Sequence, residues 1–358
     1  MTQSTPSPPH ERRTRPVVTR FLARWLWSST PDRSLAESIA LQKRSYARAI
    51  LIVRMYYVVS AYWVLAAVSL WPQYQQSKAT DPLWPAHWWF EHVSLRTGVN
   101  LIFCAYLVAS LVVVLLPQRR LARAAYALAL LEYLAFVNTP DKINGDLQMW
   151  LFVAIILVLL PRGPWTEPRR VADRQYFLTV IWTATLVVLF FYSLSGAWKV
   201  HDAVFALAHG RNSGLNPSGF SFIVGQRILE TNQNTVLGLF FTRNELPGWA
   251  LFVGTMYLES ASVIIAFRPR LHRVWGVALI LFHLGTQLVM GFTFPQNIVL
   301  VGLLLVCSPF APDRIDFKAA FLDLPVVHFI ARRLTALHRQ GDVDLTRVER
   351  TPATSPTS

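Results

Sequence analysis

The chain is short of charge. Only 15% of its 358 residues are Asp, Glu, Lys or Arg, where a soluble globular domain carries about 25%. Cysteine is nearly absent, with Cys104 and Cys307 the two present, which excludes a disulfide scaffold and a zinc ribbon. No CxxC, HExxH, Walker-type loop or GxSxG motif occurs, and no clear internal repeat. Acid is scarcer than base: 20 acidic against 34 basic residues leave a formal net charge of +14. What is abundant is apolar. Hydrophobic residues make up 53% of the chain and the mean hydropathy is +0.35, which excludes a disordered chain. In a soluble protein the positive charge would suggest nucleic acid. Here it reads instead as the one-sided Arg and Lys excess of a membrane protein, and no nucleic-acid partner is expected.

Eight apolar runs are long enough, or nearly so, to span a hydrocarbon core: 51–71, 98–116, 121–138, 147–161, 176–197, 248–267, 273–293 and 297–311. A spanning helix needs about 20 residues, so the fourth and eighth are the shortest acceptable. Open strands cannot sit in lipid with unpaired backbone groups, and the alternation of a transmembrane barrel is missing. The expectation is an all-α, polytopic helical bundle of about eight transmembrane helices, surrounded by membrane lipid.

Orientation follows from Lys and Arg in the connections. Nine precede residue 50, and the links 117–123, 162–175 and 268–273 hold three, four and three. Seven more follow residue 311. The intervening connections together hold seven: Lys78, Arg96, Lys142, Lys199, Arg211, Arg227 and Arg243. The excess alternates link by link, as eight spans with both termini in the cytoplasm require. The location expected is the cell inner membrane of a bacterium.

The flanks divide the chain further. Residues 1–33 read as a basic cytoplasmic tail without the apolar core of a cleavable signal; Phe21, Leu22, Trp25, Leu26 and Trp27 among Arg20 and Arg24 read as an interfacial segment. Ser34-x-x-Glu37 is a capping box opening the first helix of a membrane domain over 34–312. Residues 313–340 read as an interfacial amphipathic segment kinked at Pro325, and 341–358 as a disordered tail. Cys104 and Cys307 fall toward opposite faces, which speaks against a disulfide; both read as small packing residues.

Within the spans stand Glu132, Glu259, His283 and Gln287, and at the outer mouths Asp141, Asn144, Asp146, Lys199, His201 and Asp202. An ionised group at mid-bilayer costs about 2.5–3.5 kcal/mol even on the lenient scale, so such residues face the bundle interior and find partners. Glu259 and His283 lie mid-span in the sixth and seventh runs, which a short link joins; a Glu259–His283 contact is expected. His283 and Gln287, four apart, share a face. The bland alternative is a packing hydrogen bond between helices, worth about 0.6 kcal/mol.

Lys199 stands out most. It ends the fifth run in Tyr192-Ser193-Leu194-Ser195-Gly196-Ala197-Trp198-Lys199, where spacing puts Tyr192, Ser195 and Lys199 on one face. Gly196 permits close approach of a helix or a ligand. A snorkelling Lys is the ordinary alternative, yet charge bias favours the inner face and this Lys lies at the outer one. The long outer connection, about 200–247, is expected to fold over the bundle mouth, with Phe220, Phe222, Ile223 and Val224 in a re-entrant or interfacial helix.

These residues carry a resemblance. The segment 192–202, the Glu259 helix followed by Arg268 and Arg270, and Phe282-His283-Leu284 followed by Met290-Gly291 together resemble the HTTM family, membrane domains similar to vitamin K-dependent gamma-carboxylase. The resemblance covers roughly residues 35–312. It implies chemistry on a quinol, with vitamin K hydroquinone or menaquinol as the cofactor and no metal. Lys199 matches the position of the Lys that deprotonates the hydroquinone in carboxylases. Tyr192, Ser195, Asp146, Glu259, His283 and Gln287 would surround the substrate. The sequence departs from the carboxylases in three places. Val204 stands where they have Trp, 144–146 read Asn-Gly-Asp where they have a His, and 47 residues follow 311 where they have a large substrate-holding domain. The expectation is therefore a quinol-like small molecule and not a protein substrate. Two other classes stay open: a non-catalytic transporter or lipid-binding bundle, and a scaffold in which Glu259 and His283 lock helices.

Overall fold

The computed structural model describes residues 35–68, 83–138, 147–165, 171–232, 234–292 and 294–327. Among these there is no strand. The long helices are α1 (Leu35–Val68), α3 (Leu95–Leu115), α4 (Arg120–Val137), α6 (Val171–Ala208), α9 (Glu245–Ser260) and α11 (His272–Met290). Shorter ones are α2 (Ala86–His92), α5 (Gln148–Leu157), α7 (Gly219–Thr231), α8 (Val236–Arg243), α10 (Ser262–Ile265), α12 (Pro295–Val301) and α13 (Phe317–Asp323). The all-α expectation holds. Four helical segments are long and apolar enough to cross a membrane: Ile39–Val68, Leu95–Leu115, Val171–Ala208 and Pro269–Met290. Gln148–Leu157 and Pro295–Val306 are apolar but shorter.

The bundle is inverted relative to a soluble one in what it shows outside. Leu51, Leu128 and Leu281 are at least 60% exposed on its flanks, a surface suited to lipid. Its interior is aromatic: Tyr56 stacks on Trp150, and Tyr57, Tyr106, Tyr126 and Tyr133 pack around them. Central helix α6 packs against α1, α5, α9 and α10.

The basic segments meet at one end. Arg123, fully buried, donates to Pro117 O at 2.7 Å and Leu160 O at 2.5 Å. Its guanidinium lies over the Trp165 ring, whose backbone carbonyl accepts from Tyr46 Oη at 2.9 Å. On the same helix as Tyr46, Arg48 pairs with Asp313, whose carbonyl accepts from Arg273 at 3.0 Å. Four connections and the start of α1 are thereby tied together.

The sixth apolar run is interrupted where one continuous helix was expected. α9 ends at Ser260 and α10 restarts at Ser262. Ser193 of α6 bridges the break: its Oγ donates toward Ser260 O at 3.0 Å and accepts Val263 N–H at 2.8 Å. Such breaks persist in an apolar interior only where side chains satisfy the freed backbone groups.

α6 runs on to Ala208, and the connection that follows carries α7 over 219–231. Phe220, Val224 and Val289 form a satellite core with Ile228, Phe241, Phe252 and Met290, so α7 and α8 lie against the ends of α9 and α11. One expectation is corrected. Cys104 and Cys307 are exposed thiols and not packing residues. In the segment after 313, α13 ends at Asp323 with a bend at Leu324, and helical backbone resumes over 325–327. Ser34, the interfacial segment 20–27 and the chain from 328 onward lie outside the described residues.

Candidate functional site

A cavity of about 1010 Å³ opens between α6, α9, α11 and α12, with α7 at its mouth. That is the upper end of the range for small-molecule sites, about 300–1,000 Å³. Phe191, Phe252, Phe282, Phe292 and Phe294 supply much of its apolar wall. Leu251 and Leu281 line it and are also 47% and 60% exposed. Leu281 stands nine residues into α11, about 14 Å from its start at 1.5 Å per residue. The cavity therefore reaches the bundle flank at mid-helix as well as the end of the bundle at Asp202 and Phe292.

The polar groups come from three helices. Lys199 Nζ donates to Glu259 Oε2 at 2.5 Å, and Ser195 Oγ donates to Glu259 Oε1 at 3.3 Å. The Glu259 side chain is 3% exposed and that of Lys199 33%, so the carboxylate is the buried partner and the amine faces the open side. Lys199 also lies 5.4 Å from the Phe282 ring centroid. Beside this pair, Tyr192 Oη and His283 Nε2 share a hydrogen bond of 2.5 Å. All five residues line the cavity.

Local sequence explains the placement. Three- and four-residue steps on α6 align Tyr192, Ser195 and Lys199. Gly196, on the same helix, brings α9 in: a Cβ there would stand 2.4 Å from Ser260 N. That contact and the Ser193 bridge hold the end of α9 against α6, and Glu259 is the next residue along. On α9 and α11, Gly254 and Gly285 line the cavity, and a Cβ at either would meet nothing within 4 Å.

The structure joins Tyr192, Ser195, Lys199, Glu259 and His283. The Glu259–His283 contact is not made, because Lys199 and Ser195 hold the carboxylate while Tyr192 holds the imidazole. Gln287 is exposed and lines no part of the cavity. Asp146, with Asp141 and Asn144, lies outside the described residues. Asn297, unremarked in the sequence reading, is 5% exposed and lines the cavity. Its signal was available: the amides Gln296 and Asn297 open the last apolar run, and the membrane does not tolerate such groups unpartnered.

Chemically, the arrangement offers one acid–base pair at the wall of an apolar chamber that opens laterally. No family model matches this chain, and no curated protein and no solved structure matches it.

Proposed function

We infer that this chain is a multi-pass inner-membrane protein of eight spans with both termini in the cytoplasm, and that it binds a lipophilic quinol and takes a proton from it. The convergence of the basic segments at one end of the bundle supports the orientation, since cytoplasmic links collect Arg and Lys. The HTTM-like motifs support the ligand class. The observation that carries the reading is the Lys199–Glu259 pair, 2.5 Å apart, at the wall of a 1010 Å³ aromatic cavity.

A menaquinol-type or vitamin K hydroquinone head is flat, apolar and phenolic. The cavity offers phenyl walls, room over Gly254 and Gly285 and a polar pair for a hydroxyl, so the residues fit the group. Such a quinol, once ionised, supplies electrons to an oxidant such as oxygen. Lys199 is the base in this reading, and Glu259 its partner. The pair has two equivalent starting forms, ammonium with carboxylate or amine with carboxylic acid. Uptake of one proton from a ring hydroxyl yields the same state from either: Glu259 protonated and the Lys199 ammonium beside the charge left on the ring oxygen. Phe282 and Phe191 keep water from that charge, which strengthens the attraction. Ser195 holds Glu259 in place. Because the mouth reaches the flank, a lipophilic ligand has a route from the bilayer.

The test is anaerobic loading of purified protein in lipid nanodiscs with vitamin K hydroquinone, followed by oxygen. The expected outcome is accelerated quinol loss that Lys199→Ala lowers by about a hundredfold or more, the lower range for a general base. Activity untouched by Lys199→Ala removes this mechanism. Reporter fusions at both ends check orientation: a signal from outside the cytoplasm at either end overturns the topology.

A further inference from the structure

We propose that the cavity has a second polar pole, made by His283 and Asn297, which takes the far hydroxyl of the same ring, so that the site selects a diol over a monophenol. This rests on the quinol reading above. Both residues line the cavity, and both are deeply buried, at 4% and 5% exposure. Each holds a buried polar atom without a hydrogen-bond partner: Nδ1 of His283 and Oδ1 of Asn297. Buried polar atoms in native proteins are nearly always partnered, and an exception at a cavity wall points to a ligand.

The two orphan atoms differ in kind. His283 Nε2 is engaged by Tyr192 Oη at 2.5 Å. With the phenol donating, the proton of the neutral imidazole sits on Nδ1. The pole then presents one donor, Nδ1–H, and one acceptor, Oδ1. A hydroxyl group accepts from the first and donates to the second. A methyl ether or a quinone carbonyl can only accept, leaving Asn297 Oδ1 unpaired. The Phe294 ring, 5.5 Å from His283 and one turn before Asn297, closes the apolar side of the pole. Lys199 and Glu259 engage one ring oxygen; His283 and Asn297 engage the other. The same pole discriminates the reduced ligand from its oxidised product, which favours release after reaction.

The experiment measures anaerobic binding of 2-methyl-1,4-naphthohydroquinone and of its two mono-methyl ethers to the full chain in nanodiscs. Wild type is expected to bind either ether roughly tenfold more weakly than the diol, the worth of one hydrogen bond to a buried group. In Asn297→Leu the diol falls to the level of the ethers and the ethers barely change. His283→Phe should do the same; Asn297→Leu keeps the test decisive if loss of the Tyr192 bond impairs folding, which thermal melting reports. Equal binding of diol and ethers to wild type, with Lys199→Met still weakening both, overturns the second pole and leaves the quinol reading standing. A wild-type protein that binds none of the three overturns both.

Discussion

Lys199 and Glu259, sixty residues apart in the chain, meet through a 2.5 Å hydrogen bond in which the carboxylate is buried and the amine is open to the cavity. The asymmetry has energetic consequences. Removing the amine strands a buried charge, whereas removing both groups leaves no charge behind.

Lys199→Met should therefore destabilise the protein by about 3 kcal/mol, the low end for breaking a buried pair, since the Lys199 side chain is 33% exposed. The double variant Lys199→Met, Glu259→Leu should recover most of that loss while binding no quinol. Unfolding in detergent, followed by tryptophan fluorescence, measures all three proteins. A double variant less stable than Lys199→Met rejects the assignment of Glu259 as a buried anion held by this amine.

The glycines of the site should behave in opposite ways. Gly196→Ala places a methyl group 2.4 Å from Ser260 N. It should cost about 1–3 kcal/mol, as overpacking does, and weaken binding by pushing α9 from α6. Gly254→Ala and Gly285→Ala meet open space, so each should gain about 0.5–1 kcal/mol from the helical preference of Ala. Melting temperatures in one detergent decide the matter; a Gly196→Ala protein as stable as wild type would mean that the α6–α9 contact is looser than described.

At the other end, Asp313 is held below its ordinary carboxyl pKa, first by its hydrogen bond from Arg48 and then by the charges of Arg48, Arg44 and Arg273. A carboxyl with a depressed folded-state pKa contributes stability that is full above its unfolded value, about 3.9, and is lost as pH falls through the lower folded value. Protection of the 308–323 amides against hydrogen exchange should be constant from neutral pH down to that region and then drop. Asp313→Asn should show weaker protection at neutral pH and lose the step. A step of equal size in Asp313→Asn would place the responsible group elsewhere.

Much of the site was legible on α6 alone. Tyr192, Ser195 and Lys199 share a face because helical periodicity is local, and Gly196 marked a close approach before its partner was known. Glu259 and His283 were conspicuous because a charged or titratable group in an apolar run needs a partner. The choice of partner was not legible. Proximity of two spans suggested Glu259 with His283, but a helix can rotate about its axis without changing its sequence pattern. Gln287 shows the same limit: four residues from His283, it shares the stripe in a helical wheel and yet is exposed, because His283 stands at the border of the cavity-lining side of α11 and Gln287 falls beyond it.

From its residues alone this chain is an apolar, all-helical protein whose basic links alternate with poor ones, since run length, hydropathy and charge spacing are properties of contiguous segments. The tertiary structure decided which polar groups meet. A glycine-tight contact between α6 and α9, and the break that Ser193 bridges, turn Glu259 toward Lys199 and leave His283 to Tyr192. Those orientations depend on interhelical packing, which no single segment specifies.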